Sequence, residues 1–234
     1  MGRSKTFSRS ETAAAVRHRN SQVYVAELWR YPVKSMAGER LTRADVAIDG
    51  IAGDRTALVV RDQRIITART HPRLLGHRAT IDGNGVPLVD GERYDSSIVA
   101  RWIIEAAGEG ARIVRSDGLE RFDILPLLVA TDGAIAALGE DGRRLRPNIV
   151  IGGAPGLIER EWEGKRLRIG SAVIQVRDLR QRCVMTTYHP DTLQQDINVL
   201  RRIVREFDGS IALNCSVLEP AIVGVGDRVE LLDR

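Results

Sequence analysis

Apolar residues along this chain recur mostly at every second position, in short runs separated by glycine and by polar pairs. Val23, Val25 and Leu28 open this pattern, which stops at Pro32. Residues 41–48 alternate again and end at Asp49-Gly50, a turn signal. Residues 55–60 and 64–67 predict two further strands around the polar turn Arg61-Asp62-Gln63. Residues 77–81 and 86–89 flank Asp82-Gly83-Asn84-Gly85 and predict a hairpin. Further on, residues 146–151, 166–169, 173–176, 184–187, 211–218 and 227–232 read as strands, several of them bounded by glycine turns.

Helical spacing is rarer. Ile98, Trp102, Ile103 and Ala106 form a stripe over residues 97–107, with Asp95, Ser96 or Ser97 as cap and Gly108 as stop. Residues 130–138 predict a short helix capped by Thr131 or Asp132, and residues 198–206 a third, capped by Asp196. Many short strands with three modest helices predict a mainly β (α+β) fold built on a barrel. A break in pattern between Ser116 and Asp123 divides the chain. The expected organisation is a disordered basic tail over 1–20, a smaller β-rich domain over 21–120, and a barrel domain over 121–234. The tail is also Arg- and Ser-rich and poor in acid, as organelle transit peptides are.

Composition narrows the classes. Hydrophobic content of 43% and charged content of 28% belong to a globular protein, and no apolar stretch reaches the length of a membrane span. The net charge of +4 is too weak an excess to argue for nucleic acid. Arg outnumbers Lys, however, and its planar fork matches phosphate oxygens. Cys183 and Cys215 are the two cysteines, and no secretory signal core is present, so a reducing, cytoplasmic setting is expected. Two cysteines and four dispersed histidines do not make a structural zinc site.

Four clusters carry candidate chemistry. Lys34 and Ser35, in Tyr31-Pro32-Val33-Lys34-Ser35, offer two donors to an anion; a solvated strand end is the alternative. Gly50 to Arg55 holds two glycines before an Asp-Arg step, and Arg69 and His71 follow in the run TARTH. Arg144 and Arg146 share a strand face if period two holds, and Asn148 continues it; an anion or water must screen the paired guanidiniums. Cys183 stands beside Arg182 and near Arg180, where positive charge favours the thiolate that binds soft metals. A buried, inert thiol is the alternative there, and it is the reading adopted for Cys215 in its apolar strand.

The order of blocks YPVKS, GDR, TARTHPRLL, RLRPNIVI, WEGKRLRIG, RCVMTT with HPDT, VLEP and VGDRVELL resembles a MOSC protein. The form with a MOSC N-terminal β-barrel domain occurs in the mitochondrial amidoxime-reducing component and its bacterial relatives. The resemblance spans about Val23 to Leu232 and implies a MOSC β-barrel core behind a smaller N-terminal domain. It implies a molybdenum-molybdopterin cofactor with Cys183 as metal ligand and catalytic residue. Lys34, Ser35, Arg55, Thr131, Arg144, Arg146, Asn148, Gln181 and Arg182 are the implied cofactor contacts. Gln181 departs from the family's usual Ser two residues before the cysteine.

The resemblance further implies reduction of small N-hydroxylated compounds such as hydroxylamines and amidoximes, with His71 as a candidate for proton delivery. The alternative is a non-catalytic carrier of molybdenum cofactor, or of sulfur on Cys183. Electrons are expected from a separate ferredoxin-, flavin- or cytochrome-type protein, because the sequence stops at Arg234, just after its last strand. No nucleic-acid or membrane-spanning partner is expected. Pyridoxal phosphate attaches to the family through the desulfurase domain of the sulfurases, which this sequence lacks.

Overall fold

The structure is a computed structural model that describes residues 22–232. The N-terminal tail therefore lies outside the described residues. The alternating runs become strands: β1 (Tyr24–Arg30), β2 (Glu39–Leu41), β3 (Arg43–Ala47), β4 (Gly50–Ile51), β5 (Ala57–Arg61) and β6 (Arg64–Ile66). The expected hairpin forms from β7 (Ala79–Ile81) and β8 (Pro87–Val89), with a short β9 (Glu92–Arg93) beside it. Helix α1 (Ser97–Ala107) follows, its first turn closed by Ser96 Oγ accepting from Val99 N–H at 3.3 Å. After β10 (Arg112–Arg115) come β11 (Leu127–Thr131), α2 (Asp132–Leu138), β12 (Ile149–Gly152), β13 (Arg166–Ile169) and β14 (Ala172–Gln181). Helix α3 (Ile197–Phe207), β15 (Ser210–Glu219), β16 (Ala221–Gly224) and β17 (Val229–Leu232) complete the order.

The largest sheet runs β17-β13-β14-β15-β11-β12-β1-β2. It closes on itself where Tyr24 pairs with Arg228, with Val25 N–H donating to Asp227 O at 2.9 Å and Val229 N–H to Val23 O at 2.8 Å. A closed sheet leaves few unpaired strand edges, and its inward positions make the core. Leu127 and Val129 point inward with Ile149, Ile174, Leu213 and Cys215. Leu128 and Ala130 point outward under Leu138, Val199, Ile203 and Phe207 of α2 and α3. Strand β11 is covered on both faces, which is why it reads as an unbroken apolar run rather than an alternating one.

A second core gathers Val33, Met36, Val59, Leu74, Val99 and Ile103. The two cores do not divide at residue 120. Val25, Leu28, Val46 and Ile51, from β1, β3 and β4, pack inside the barrel. Met185, Tyr188 and Leu193 pack back against the second core. The chain thus crosses the seam between cores repeatedly, after β1, at β3, between β4 and β5, before β11 and after β14.

Two predicted elements differ. Residues 184–187 form a tight 3-10 turn, not a strand. The hydroxyls of Thr186 and Thr187 donate to the carbonyls of Cys183 and Val184, at 2.9 and 2.7 Å, so these residues bond locally instead of joining a ladder. Residues 142–145 also form a 3-10 turn, started by Asp141 Oδ1 accepting from Arg143 N–H at 2.9 Å, and the strand begins only at Ile149.

Candidate functional site

Several of these crossings deliver polar side chains to one cavity at the seam, with a volume of about 740 Å³. Of the expected contacts, Lys34, Ser35, Arg55, Arg146, Asn148, Gln181, Arg182 and Cys183 line it, although they are spread over 150 residues of sequence.

The loop after β1 is pinned before it reaches the cavity. Lys34 N–H donates to Ala57 O at 2.9 Å, and Arg55 N–H donates to Tyr31 O at 2.8 Å. Ser35 and Arg55 both adopt left-handed backbone, at φ 72° and 52°. Such conformations cost about 1–3 kcal/mol each in a residue with a side chain, and persist where the surroundings dictate them. Lys34 is buried, and its ammonium donates to Glu120 O at 3.0 Å and pairs with Asp123 at 3.1 Å. Arg55 pairs with Asp54 and donates to Asn148 Oδ1 at 3.4 Å. Asn148 is fully buried; its Oδ1 also accepts from Leu128 N–H at 3.1 Å, and its Nδ2 donates to Trp29 O at 3.4 Å.

The opposite wall is the end of β14. Strand bulges at Val176/Asp178 and Leu179/Gln181 interrupt its pairing with β15 just before the cysteine. Arg180 reaches Asn214 Oδ1 at 3.3 Å and Asp123 at 3.0 Å. Arg182 donates one hydrogen bond, to Leu145 O at 2.8 Å. Its Nε and Nη1 are buried with no hydrogen-bond partner. Burial, followed by the charge of Arg180, pushes the Arg182 guanidinium down to about 10. Burial does the same to Arg146, also to about 10, with Arg55 adding to the effect. Cys183 follows with a half-buried free thiol at the start of the 3-10 turn. The Arg69 guanidinium pairs with Asp123 at 2.9 Å and lines the cavity with Cys183; the charge of Asp123 raises its proton affinity.

Asp123 is the acid that holds these cations together. Burial alone would raise its carboxyl, but Lys34, Arg69 and Arg180 outweigh burial and hold it below the usual carboxylate range. One carboxylate does not neutralise the cations around it. An unmet buried N–H costs about 1–3 kcal/mol, and more when charged. The stable complement for such a wall is an anion with several oxygens.

Two expected contacts lie elsewhere. Thr131 is fully buried at the end of β11, where its Oγ1 accepts from Ala134 N–H at 3.1 Å and donates to Glu159 Oε2 at 3.2 Å. Its hydroxyl is committed to capping α2 and does not line the cavity. Arg144 does not share a face with Arg146, because the 3-10 turn and the left-handed Arg146 (φ 56°) break the period of two. It donates to Thr186 O at 3.2 Å and pairs with Glu140 at 3.2 Å, lining a second hollow that Arg146 also borders but not the main cavity. His71 likewise stands outside the cavity lining, with its Nδ1 at 2.9 Å from Thr70 Oγ1.

Asp123 and Arg180 were not among the expected contacts. Asp123 falls in the patternless stretch before β11, where an acid carries no periodic signal. Arg180 was visible only as a charge near the cysteine.

Among the described residues, no cluster of three His, Cys, Asp or Glu could hold a metal ion. A metal on Cys183 must therefore bring its other donors with it, on a ligand whose negative charge the basic wall can meet. The residues present fit a metal–organic cofactor that carries a phosphate.

Comparison with known proteins identifies the family. The MOSC N-terminal beta barrel domain matches residues 22–119, and the MOSC domain matches residues 133–230. Human mitochondrial amidoxime-reducing component 1 is 25% identical over an alignment covering 72% of this chain and 67% of that protein. Molybdenum cofactor sulfurase of Caenorhabditis elegans is 24% identical over 75% of this chain and 30% of that protein. The solved structure of the YUAD protein from Bacillus subtilis shares the fold, with a TM-score of 0.50 at 15% identity, over 90% of this chain and 95% of that one. The closed β-sheet, the seam lined by basic residues and the two matched domains together show that this chain belongs to the MOSC family, with a MOSC N-terminal β-barrel domain ahead of its MOSC domain.

Proposed function

We propose that the cavity binds molybdenum-molybdopterin and that the protein reduces N-hydroxylated compounds with electrons from a separate donor protein. The observation that carries this reading is the pair of partnerless N–H groups on Arg182, buried beside a half-exposed thiol. Cys183 would bind the metal as thiolate. Lys34, Ser35, Arg55, Arg146 and Arg182 would meet the phosphate and pterin, with charge-assisted bonds contributing about 1.5–3 kcal/mol each. The chemistry the cofactor supplies when bound is two-electron removal of oxygen from an N–OH group, which yields the amine or amidine and water from two protons and two electrons.

The protein's own contribution is positional. Asn148 ties the Arg55 loop to β11 and β1. Arg69 stands in the cavity lining with Cys183, and Asp123 keeps three cations from springing apart. Protein produced in a molybdenum-replete host should carry molybdenum, and should convert benzamidoxime to benzamidine once a chemical reductant is added. Bound molybdenum without turnover would assign a carrier role. Absence of molybdenum and of turnover would remove both.

A further inference from the structure

The ring of Tyr31 lies against two cations of the cavity wall. The guanidinium carbon of Arg146 is 4.4 Å from the ring centroid and that of Arg55 is 5.3 Å. An aromatic face is electron-rich and attracts a cation, most strongly where water is excluded. Arg55 and Arg146 are near enough to repel each other electrostatically, and Arg146 is half-buried.

Four observations fix that ring. Tyr31 is 3% exposed. Its hydroxyl donates to Pro147 O at 3.1 Å, on the residue next to Arg146. Its backbone N–H donates to Asp54 Oδ1 at 2.7 Å, and the other oxygen of Asp54 pairs with Arg55. Gly38 leaves the space the ring fills, because a Cβ at that position would stand 2.6 Å from Tyr31 Cδ1. The ring is thus tied by separate bonds to the loop carrying each arginine. These two loops lie about 90 residues apart in sequence, and Tyr31 is where they meet.

We propose that Tyr31 is a positioning residue, whose ring holds Arg55 and Arg146 side by side as one anion-binding fork for the cofactor phosphate. The inference rests on the cofactor reading above. Aliphatic packing at this position would fill the same space but give no attraction to either guanidinium. The ring, and not the hydroxyl, carries the role. An anion entering the cavity then meets two forks already in place, and less freedom is lost on binding.

The test compares Tyr31→Phe, which keeps the ring, with Tyr31→Leu, which does not. Titration with inorganic pyrophosphate should give a Tyr31→Phe affinity within about threefold of the unsubstituted protein. Tyr31→Leu should lose tenfold or more, and molybdenum per chain after production in a replete host should fall in parallel. Equal affinity in all three proteins, or equal loss in both variants, overturns the proposal. An independent readout is the NMR signal of the Arg146 side-chain N–H, which the ring should shift upfield in the unsubstituted protein and in Tyr31→Phe. That shift decides the matter even if Tyr31→Leu does not fold; its absence from the unsubstituted protein overturns the proposal. Absence of pyrophosphate and molybdenum binding from the unsubstituted protein would instead sink the cofactor reading, leaving the ring-current measurement to judge Tyr31 alone.

Discussion

The two cysteines stand in opposite surroundings. Cys215 lies fully buried inside the barrel, pointing inward with Leu127, Ile174 and Leu213, and burial pushes its thiol well up. Cys183 lies at the seam, half-buried, in a cavity wall it shares with Arg69, Arg180 and Arg182, and is followed by a turn. The barrel interior is apolar and needs no partner. The seam is polar: it holds buried N–H groups without a hydrogen-bond partner, two half-buried guanidiniums pushed down in pKa, and non-glycine residues in left-handed backbone. Stability and recognition are therefore separated in space, and substitutions should report on one or the other.

The largest contrast is expected from Cys183→Ala, which should remove essentially all bound molybdenum, measured by mass spectrometry. Its unfolding free energy without cofactor should change by less than about 1 kcal/mol, because the thiol is only partly buried. Next comes Arg182→Met. Losing a buried charge with unmet N–H groups should stabilise the cofactor-free chain by about 1–2 kcal/mol in urea denaturation, although one bond to Leu145 O is lost. The same change should weaken pyrophosphate binding tenfold or more. A chain destabilised by several kcal/mol would show that Arg182 is structural, and the contrast between the two regions would fail.

Cys215→Ala should act the opposite way to Cys183→Ala. A small void in the barrel should cost about 1–2 kcal/mol, with molybdenum content unchanged. A maleimide reagent should label Cys183 readily in the native protein and reach Cys215 only on unfolding.

The smallest effect concerns Glu159, a buried acid outside the cavity with one unpartnered oxygen. Burial raises its carboxyl above the ordinary range, despite the hydrogen bond from Thr131. The unfolded chain therefore gives up this proton at lower pH than the fold does. Stability should fall as pH rises from the unfolded value, near 4.3, through the raised one, and then level off. Glu159→Gln should abolish that part of the fall, so that its stability relative to the unsubstituted protein is greater at pH 8 than at pH 4. Parallel pH curves for the two proteins would contradict the assignment.

Alternation and turn residues made the barrel strands, the β7–β8 hairpin and the three helices legible, down to Ser96 and Asp196 as caps. Where the sequence misled, local hydrogen bonding had overridden the pattern. Thr186 and Thr187 have strong strand preference, yet their hydroxyls close a turn. Arg144 and Arg146 have the spacing of a shared face, yet Asp141 nucleates a turn that leaves only Arg146 in the main cavity. Strand β14 ran past its predicted end at Val176 because Arg177 and Asp178 broke the apolar rhythm at the seam. Thr131 was anticipated both as a helix cap and as a ligand contact, and its hydroxyl serves the cap. Tyr31 was visible within its block, but its neighbours on the ring arrive from distant loops, which no local pattern encodes.

The barrel closure has a consequence for biosynthesis. Strand β1 pairs over its last residues with the nearby β2, but its other neighbours come from β12 and from the residues just before β17. The start of β1 must therefore wait for its partner while roughly two hundred residues are made, since synthesis runs at roughly 5–20 residues per second. Lys34, at the end of this first strand's loop, and Cys183 face one another only once the ring is shut. On the cofactor reading proposed above, a chain cut before β17 should therefore be unable to retain a metal.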